Sequence, residues 1–398
     1  MFEFRKFTPC DKGELLALIE RSDSTPRTDA TWDGNPMTAC LAFESGRLIG
    51  AVPFEKRTFK ITNEHHTQML WVSAAHVDPP YRSQGIGQQL LDNTISLFGK
   101  NFDSFGVYRE DESSKAYKWY EKNNFIPLLP ILAYKKKIDG FTPLNPTNDW
   151  VQITSDQDLK FYEEDLFSCL NNSMICGIPK RNPEHWRKLF SSYYYKDFNE
   201  LSILATRSDT NITSFAVLAR TSMRDNIDRL DILELVAAEH AQISSLVSLI
   251  EGYAHKIKVN EVRIQCSAQD QLRYWIEENG YRYRNRRTNI MGRVFNIQNY
   301  LNKISKLPGN LPKSEAKDTL SIETPDQGIF QIGEPSIDTP RCFIRSNDLQ
   351  TLLFQRSSPA DMITDGRIIL LESPERSKKI LCNLFPLASW RYFQSDYI

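Results

Sequence analysis

Two apolar patterns in close succession set the frame. The run Met69-Leu70-Trp71-Val72-Ser73-Ala74-Ala75 has the length and continuity of a buried strand. Soon after it, Ile86, Leu90, Leu91, Ile95 and Phe98 recur at helical spacing. Between them lies Val77-Asp78-Pro79-Pro80-Tyr81-Arg82-Ser83-Gln84-Gly85, followed by Gly87, so a strand ends, the chain turns on glycines and a helix begins. The same reading extends in both directions. Alternation at Phe2, Phe4 and Lys6 predicts a short strand, and Leu15, Leu16, Leu18 and Ile19 predict a helix. Strands are expected over 39–43 and 48–52, joined by Glu44-Ser45-Gly46-Arg47 as a hairpin, and over 57–61. Beyond the glycines come a strand at 103–108, a helix at 113–125 closing on a left-handed Asn124, and a strand at 128–136. The order β-α-β-β-β-α-β-α-β makes a mixed α/β domain over residues 1–140.

A Pro-, Asn- and Thr-rich stretch at 139–150 reads as a linker. A second unit over 150–297 has helices at 157–169 and 183–193, then strands at 201–205, 214–220 and 231–237. A helix at 243–256 and a strand at 261–265 follow. Trp275-Ile276-Glu277-Glu278-Asn279-Gly280-Tyr281 aligns with Trp119-Tyr120-Glu121-Lys122-Asn123-Asn124-Phe125. Upstream, the segment after the matching strand, Ala238-Glu239-His240-Ala241-Gln242-Ile243, has neither glycine nor arginine, and Ile276 stands where the first unit has Tyr120. The second unit therefore reads as a copy that keeps the scaffold and lacks the glycine turn. After a second linker at 306–317, a third unit over 315–398 has strands at 319–324, 328–332 and 341–345. Helices at 346–354, 358–365 and 373–384 complete it before the aromatic ending Trp390-Arg391-Tyr392-Phe393-Gln394-Ser395-Asp396-Tyr397-Ile398, which is expected to pack.

Composition narrows the function. The 398 residues carry 49 Lys and Arg against 50 Asp and Glu, a net charge of −1, so no general nucleic-acid footprint is expected. No run approaches the apolar length of a membrane span, and the first residues lack a signal-type core. Seven scattered cysteines without a Cys-x-x-Cys pair point to a reduced, cytoplasmic protein and no metal site.

Backbone N–H groups at the start of a helix are unpaired and partly positive, so the glycine turn is a candidate anion site. A P-loop would need Gly-Lys-Ser/Thr, and a dinucleotide fold a third glycine where Leu90 stands and a first strand near it. Coenzyme A pyrophosphate on successive N–H groups, with Arg82 adding charge, is the remaining phosphate reading; the bland alternative is a turn that binds nothing. In the fold implied by the family resemblance given next, Tyr120 is a candidate acid for a leaving thiolate, against a plain core aromatic. Asp29, Trp32 and Asp33, in the loop after the first helix, are candidates for an amine pocket, against ordinary solvated carboxylates.

The string His76 to Gly87, with Arg82-Ser83-Gln84-Gly85-Ile86-Gly87, resembles motif A of the GNAT acetyltransferases, and Ala116 to Phe125 resembles their motif B, with Asn124 in place of the usual glycine. The three-part plan resembles the Eis (enhanced intracellular survival) type. That resemblance implies tandem GNAT folds and a sterol-carrier-like α+β C-terminal domain. It implies acetyl-CoA held by Ala75, His76, Val77, Arg82, Ser83, Gln84, Gly85, Ile86, Gly87, Gln88, Lys115 and Ala116, with the strand at 75–77 splayed from its neighbour. It also gives the role of base to the terminal carboxylate of Ile398, and it implies a homo-oligomer, with a hexamer as one form. The expected reaction is direct acetyl transfer to a primary amine, such as an aminoglycoside-like molecule, a polyamine or a lysine side chain. The competing reading is a non-catalytic coenzyme A or lipid binder.

Overall fold

Thr38 to Lys60 is two long strands joined by a tight turn. Ser45 and Gly46 both have positive φ, 50° and 79°, the conformation that lets a two-residue loop match the twist of its strands. The computed structural model describes residues 2–22, 38–61, 66–73, 75–109, 113–138, 149–173, 175, 177–181, 186–187, 190, 200–208, 211–222, 228–239, 242–268, 270, 272–306, 319–388 and 393. The chain divides into two compact units. One comprises Met1–Leu128 and Asn289–Ala388, the other Leu129–Thr288 and Ser389–Ile398.

The first unit begins with β1 (Glu3–Lys6), α1 (Lys12–Ser22), β2 (Thr38–Glu44), β3 (Arg47–Lys60), β4 (His66–Val72) and β5 (His76–Val77). It continues with α2 (Ile86–Phe98), β6 (Ser104–Arg109), α3 (Lys115–Lys122) and the start of β7 (Ile126–Lys137). β1, β2, β3 and β4 run antiparallel in that order, β4 runs parallel to β6, and β6 is followed by residues 289–294 of a late strand, antiparallel. Alternation along β2 decides the two faces. Cys40 and Ala42 join Ile86, Leu90, Leu91 and Phe105 in one apolar cluster, while Ala39, Leu41 and Phe43 join Leu15, Leu18 and Ile19 in another. Helix α2 therefore covers one face of the sheet and α1 the other. A single β3 replaces the two strands expected at 48–52 and 57–61; Pro53 does not break it, because it lies where β4 leaves.

The second unit repeats the plan with β8 (Trp150–Ile153), α4 (Asp156–Asn172), β9 (Ile178–Pro179), β10 (Glu200–Ser208), β11 (Asn211–Ser222) and β12 (Asp228–Ala237). Then come α5 (Gln242–Lys256), β13 (Glu261–Ser267), α6 (Leu272–Glu278) and β14 (Arg282–Val294). β8, β10, β11 and β12 are antiparallel, β12 is parallel to β13, and β13 is followed by residues 131–137 of β7, antiparallel. Order and sense match the first sheet strand for strand. The sixth strand of each sheet comes from the other stretch of sequence, which is why the compact units cut the chain along lines other than 140 and 297. The ends of α3 and α6 are built alike. Phe125 N donates to Tyr120 O at 3.1 Å and Tyr281 N to Ile276 O at 3.2 Å. Asn124 and Gly280 have φ 59° and 82°. The Asn123 and Asn279 amides donate to Trp119 O and Trp275 O, at 2.8 and 2.9 Å.

The remainder of the first unit holds α7 (Ile297–Ile304), β15 (Leu320–Thr324), β16 (Gly328–Ile332), β17 (Arg341–Ile344), α8 (Ser346–Leu353), α9 (Pro359–Thr364), β18 (Ile368–Glu372) and α10 (Pro374–Leu384). Its four strands form a second sheet in the order β16-β15-β17-β18. Side-chain amides finish the strand ends: Gln350 bonds both N and O of Val294, at 2.6 and 2.8 Å, and Gln298 bonds both N and O of Gln331, at 2.9 and 2.7 Å. The fully buried Asp103 carboxylate accepts from Asn299 and Lys303, each at 2.6 Å, and so fixes α7.

Candidate functional site

Proline has no N–H to give a sheet, and Pro53 sits where one is missing. Val72 stands opposite Phe54 and His76 opposite Ala51, so the stretch between Val72 and His76 is one residue longer than the stretch between Ala51 and Phe54. The extra residue makes a bulge, with Ser73 N donating to Pro53 O at 3.1 Å. On the other side, the parallel register between β4 and β6 ends at Val72 and Val107. Among the described residues no register joins 75–77 to β6, and the ladder opens there.

The turn that follows is braced from below. The Asp78 carboxylate, 2% exposed, accepts from Arg47 at 2.8 Å and pairs with Arg21 at 3.3 Å, while Asp78 N donates to Ile49 O at 2.9 Å. Arg82 spans two segments, its Nε donating to Val77 O at 3.1 Å and its Nη2 to Ser22 O at 2.7 Å. Ser83 and Gly85 take φ of 66° and 80°, and α2 starts at Ile86 with no side chain capping it. The first-turn N–H groups of Ile86, Gly87 and Gln88 therefore have no helix carbonyl and no capping side chain. Space is held open in front of them. A Cβ on Gly87 would lie 3.1 Å from Trp119 Cζ2, and one on Gly50 would lie 3.0 Å from Leu90 Cδ1, so α2 rests directly on β3 and under α3.

A cavity of about 600 Å³ opens over this turn, a size suited to a cofactor-scale ligand. Its wall contains Ala75, His76, Val77, Arg82, Ser83, Gly85, Ile86, Gly87, Gln88, Lys115 and Ala116, together with Tyr120. Gln84 is not in the wall; its amide turns back to Pro80 O at 3.1 Å. Ser22, Tyr81 and Trp119 also line the cavity, although sequence reasoning did not single them out. Trp119 was within reach, one residue before Tyr120 and above a glycine. Ser22 carries no motif at all. Asp29, Trp32, Asp33 and Ile398 lie outside the described residues.

Tyr120 is fully buried, with its ring edge-on to Trp119 and Phe125 at 4.8 and 4.9 Å. Helix α3, which carries it, is started by Ser114, whose hydroxyl accepts from Tyr117 N at 3.1 Å. A hydrogen bond to Glu44 holds the Tyr81 phenol above its ordinary pKa, so Tyr81 stays protonated. His76, 5% exposed, has Nδ1 2.8 Å from Ser22 Oγ. Among the described residues no cluster of His, Cys, Asp and Glu fits a metal ion, and no helix is long and apolar enough to cross a membrane.

Residues 8–125 match the acetyltransferase (GNAT) family. No curated protein matches the chain by sequence. Among solved structures, a GCN5-related N-acetyltransferase from Anabaena variabilis ATCC 29413 superposes with a TM-score of 0.74 at 12% identity, over 99% of this chain and 100% of its own. A conserved protein from Enterococcus faecalis V583, described as a probable N-acyltransferase, gives 0.72 at 11% identity, over 98% of both chains. Eis1 from Mycobacterium abscessus gives 0.67 at 13% identity, over 96% of both. At these identities the likeness is one of fold. Residues 8–125 thus form a domain of the acetyltransferase (GNAT) family, within a chain that has the fold of the GCN5-related N-acetyltransferases.

Proposed function

We propose that the chain is an N-acetyltransferase that moves an acetyl group directly from acetyl-CoA to a primary amine, with Tyr120 as the acid for the departing thiolate. One observation carries this reading: an uncapped helix start, cleared of side chains by Gly85 and Gly87, shares a cavity wall with Tyr120 and with a strand that has left its neighbour. A phosphate-bearing thioester fits that combination, since N–H groups and the helix dipole favour the anion while the open strand offers backbone groups to a pantetheine arm. When bound, acetyl-CoA would supply an activated acyl carbon with a thiol leaving group. Gly85, Ile86, Gly87 and Gln88 would hold its pyrophosphate, and residues 75–77 its arm. Tyr120, desolvated among aromatics, would hold its proton until sulfur needs it.

The like order of the two larger sheets and the like ends of α3 and α6 support reading 150–297 as a second GNAT-type unit without a working site, since Ile276 has no proton to give. The sterol-carrier-like reading of 315–398 remains part of this proposal. The Eis resemblance assigns the amine's proton to the carboxylate of Ile398 and favours cationic acceptors.

Thiol release from acetyl-CoA against a panel of aminoglycosides, polyamines and lysine peptides tests the reading. Turnover with at least one amine is expected. Binding of coenzyme A with no thiol release from any amine would leave the binding-protein alternative standing. Tyr120→Phe is expected to lower kcat by about 10²- to 10⁴-fold with little change in acetyl-CoA affinity.

A further inference from the structure

We propose that the groove between α1 and the Ser45–Gly46 turn binds a small ω-amino carboxylate, with its carboxylate on Arg21 and Arg47 and its ammonium on Glu14. The site is separate from the glycine turn. Only its effect on the cofactor, given below, rests on the acetyl-transfer reading.

The groove follows from the spacing along α1. Leu15, Leu18 and Ile19 turn one side of the helix into the apolar cluster it shares with β2. Glu14, Ala17 and Arg21 recur at three and four residues and so share a neighbouring side. The two-residue turn sets Ser45, Arg47 and Leu48 across from that side, and a cavity of about 430 Å³ lies between them. The methyl of Ala17, midway along the helix between the two charged residues, gives the groove a short apolar floor.

Charge is divided along this groove. Arg21 Nη2 donates to Leu48 O at 3.3 Å, and its Nε lies 3.3 Å from Asp78 Oδ2. Arg47 Nη2 reaches the same oxygen at 2.8 Å. A guanidinium has five N–H donors, so both arginines keep others to offer a carboxylate. Asp78 also offsets only one of their two positive charges. Glu14 lies two turns from Arg21, about 10 Å along the axis, and puts a negative charge at the other end of the groove. A ligand with a carboxylate and an ammonium at opposite ends of a short methylene chain meets both ends and lays its chain over Ala17. An α-amino acid fits less well, because an ammonium beside the carboxylate would face the guanidiniums. The arginines are half-exposed, so a dissociation constant on the order of 1 mM is expected.

The groove is tied to the cofactor turn from both sides of the hairpin loop. Arg21 and Arg47 hold Asp78, and Glu44, the residue before Ser45, accepts from the Tyr81 hydroxyl. Asp78 and Tyr81 belong to the segment that leads into the glycine turn. A ligand carboxylate draws on the guanidiniums that Asp78 uses. Occupancy therefore loosens the brace and weakens acetyl-CoA binding, and by linkage acetyl-CoA weakens the ligand by the same factor.

Titration of the full-length protein with ε-aminocaproate, beside caproate and hexylamine, tests the site. The amino acid is expected to bind about three- to tenfold more tightly than either control. Glu14→Gln, a change at an exposed position, should remove its advantage over caproate and leave caproate binding unchanged. Arg47→Gln should weaken both carboxylates; if that variant fails to fold, Glu14→Gln and the ligand series decide alone. Equal binding of ε-aminocaproate and caproate, or a preference that persists in Glu14→Gln, overturns the site. Saturating ε-aminocaproate is expected to weaken acetyl-CoA about three- to tenfold in the parent protein and not in Glu14→Gln. An unmoved acetyl-CoA affinity overturns the coupling and leaves the site standing. Failure of the parent protein to bind acetyl-CoA overturns the acetyl-transfer reading and the coupling together, and the ligand series still decides the site.

Discussion

Adding one methyl group at Gly87 separates the fold's needs from the ligand's. Gly87→Ala places a Cβ 3.1 Å from Trp119 Cζ2 and 3.4 Å from Cε2, so the indole must give by a few tenths of an ångström. Alanine in a helix gains up to about 1 kcal/mol over glycine, and the crowding costs about 1–3 kcal/mol. The net change in stability therefore lies between about zero and 3 kcal/mol. Affinity should respond differently. Gly87 lies in the first turn of α2 and in the cavity wall, so the methyl should cost one charge-assisted hydrogen bond to pyrophosphate, about 1.5–3 kcal/mol, or roughly 10- to 100-fold in acetyl-CoA affinity. Gly85→Ala is the contrasting change. Its Cβ meets only Gln89 Nε2 at 3.9 Å, but φ is +80°, so it costs about 1–2 kcal/mol in backbone strain without crowding Trp119. Calorimetric titration with acetyl-CoA and with S-acetylpantetheine, which has no pyrophosphate, reads the difference. Gly87→Ala should weaken only the first ligand. Equal weakening of both, or of neither, would refute a pyrophosphate on this turn.

Two further outcomes follow from the geometry. Asp78→Asn removes the negative charge shared by Arg47 and Arg21 under the turn and should lower stability by about 1–3 kcal/mol in a denaturant titration, with the half-exposed arginines limiting the loss. In Asp11, the bidentate hydrogen bond from Arg5 holds the carboxyl well below the usual carboxylate range. A depressed folded-state pKa gives stability that is present above the unfolded value near 3.9 and lost as pH falls through the folded one. Wild type should thus exceed Asp11→Asn in stability at pH 6, and the gap should close as melting is followed down toward pH 2; a gap that is constant with pH would count against the pairing.

The parts of the fold legible from sequence are those whose cause is local. The hairpin at Ser45-Gly46, the left-handed Asn124 and the strand–glycine–helix succession each depend on a few adjacent residues. The apolar runs at 48–52 and 57–61 predict two strands, whereas β3 is one, since Pro53 lies where the neighbouring strand departs. β14 was passed over because Arg282, Arg284, Arg286 and Arg287 mask its strand character. β18 escaped notice as a short run, Ile368-Ile369-Leu370-Leu371, behind Gly366 and Arg367. The site divides the same way. The residues singled out from sequence for the cofactor come from two short stretches, 75–88 and 115–116, and of them Gln84 lies outside the cavity wall. Ser22 is 54 residues from its partner His76, and only the packing of α1 against β5 brings them together.

The exchanged sixth strands also have a consequence in time. During synthesis β6 emerges within the first 109 residues, but the segment that lies beside it in the first unit, 289–294, is made 180 residues later. From residue 128, where the unit's first stretch ends, to residue 294 is a wait of about ten to thirty seconds at roughly 5–20 residues per second. Over that interval the edge of the first sheet has no permanent occupant, and open edges invite pairing with other chains. A nascent chain of this protein should therefore depend on holding chaperones longer than its 118-residue family segment suggests, and no N-terminal fragment that stops short of residue 294 will contain a finished first sheet.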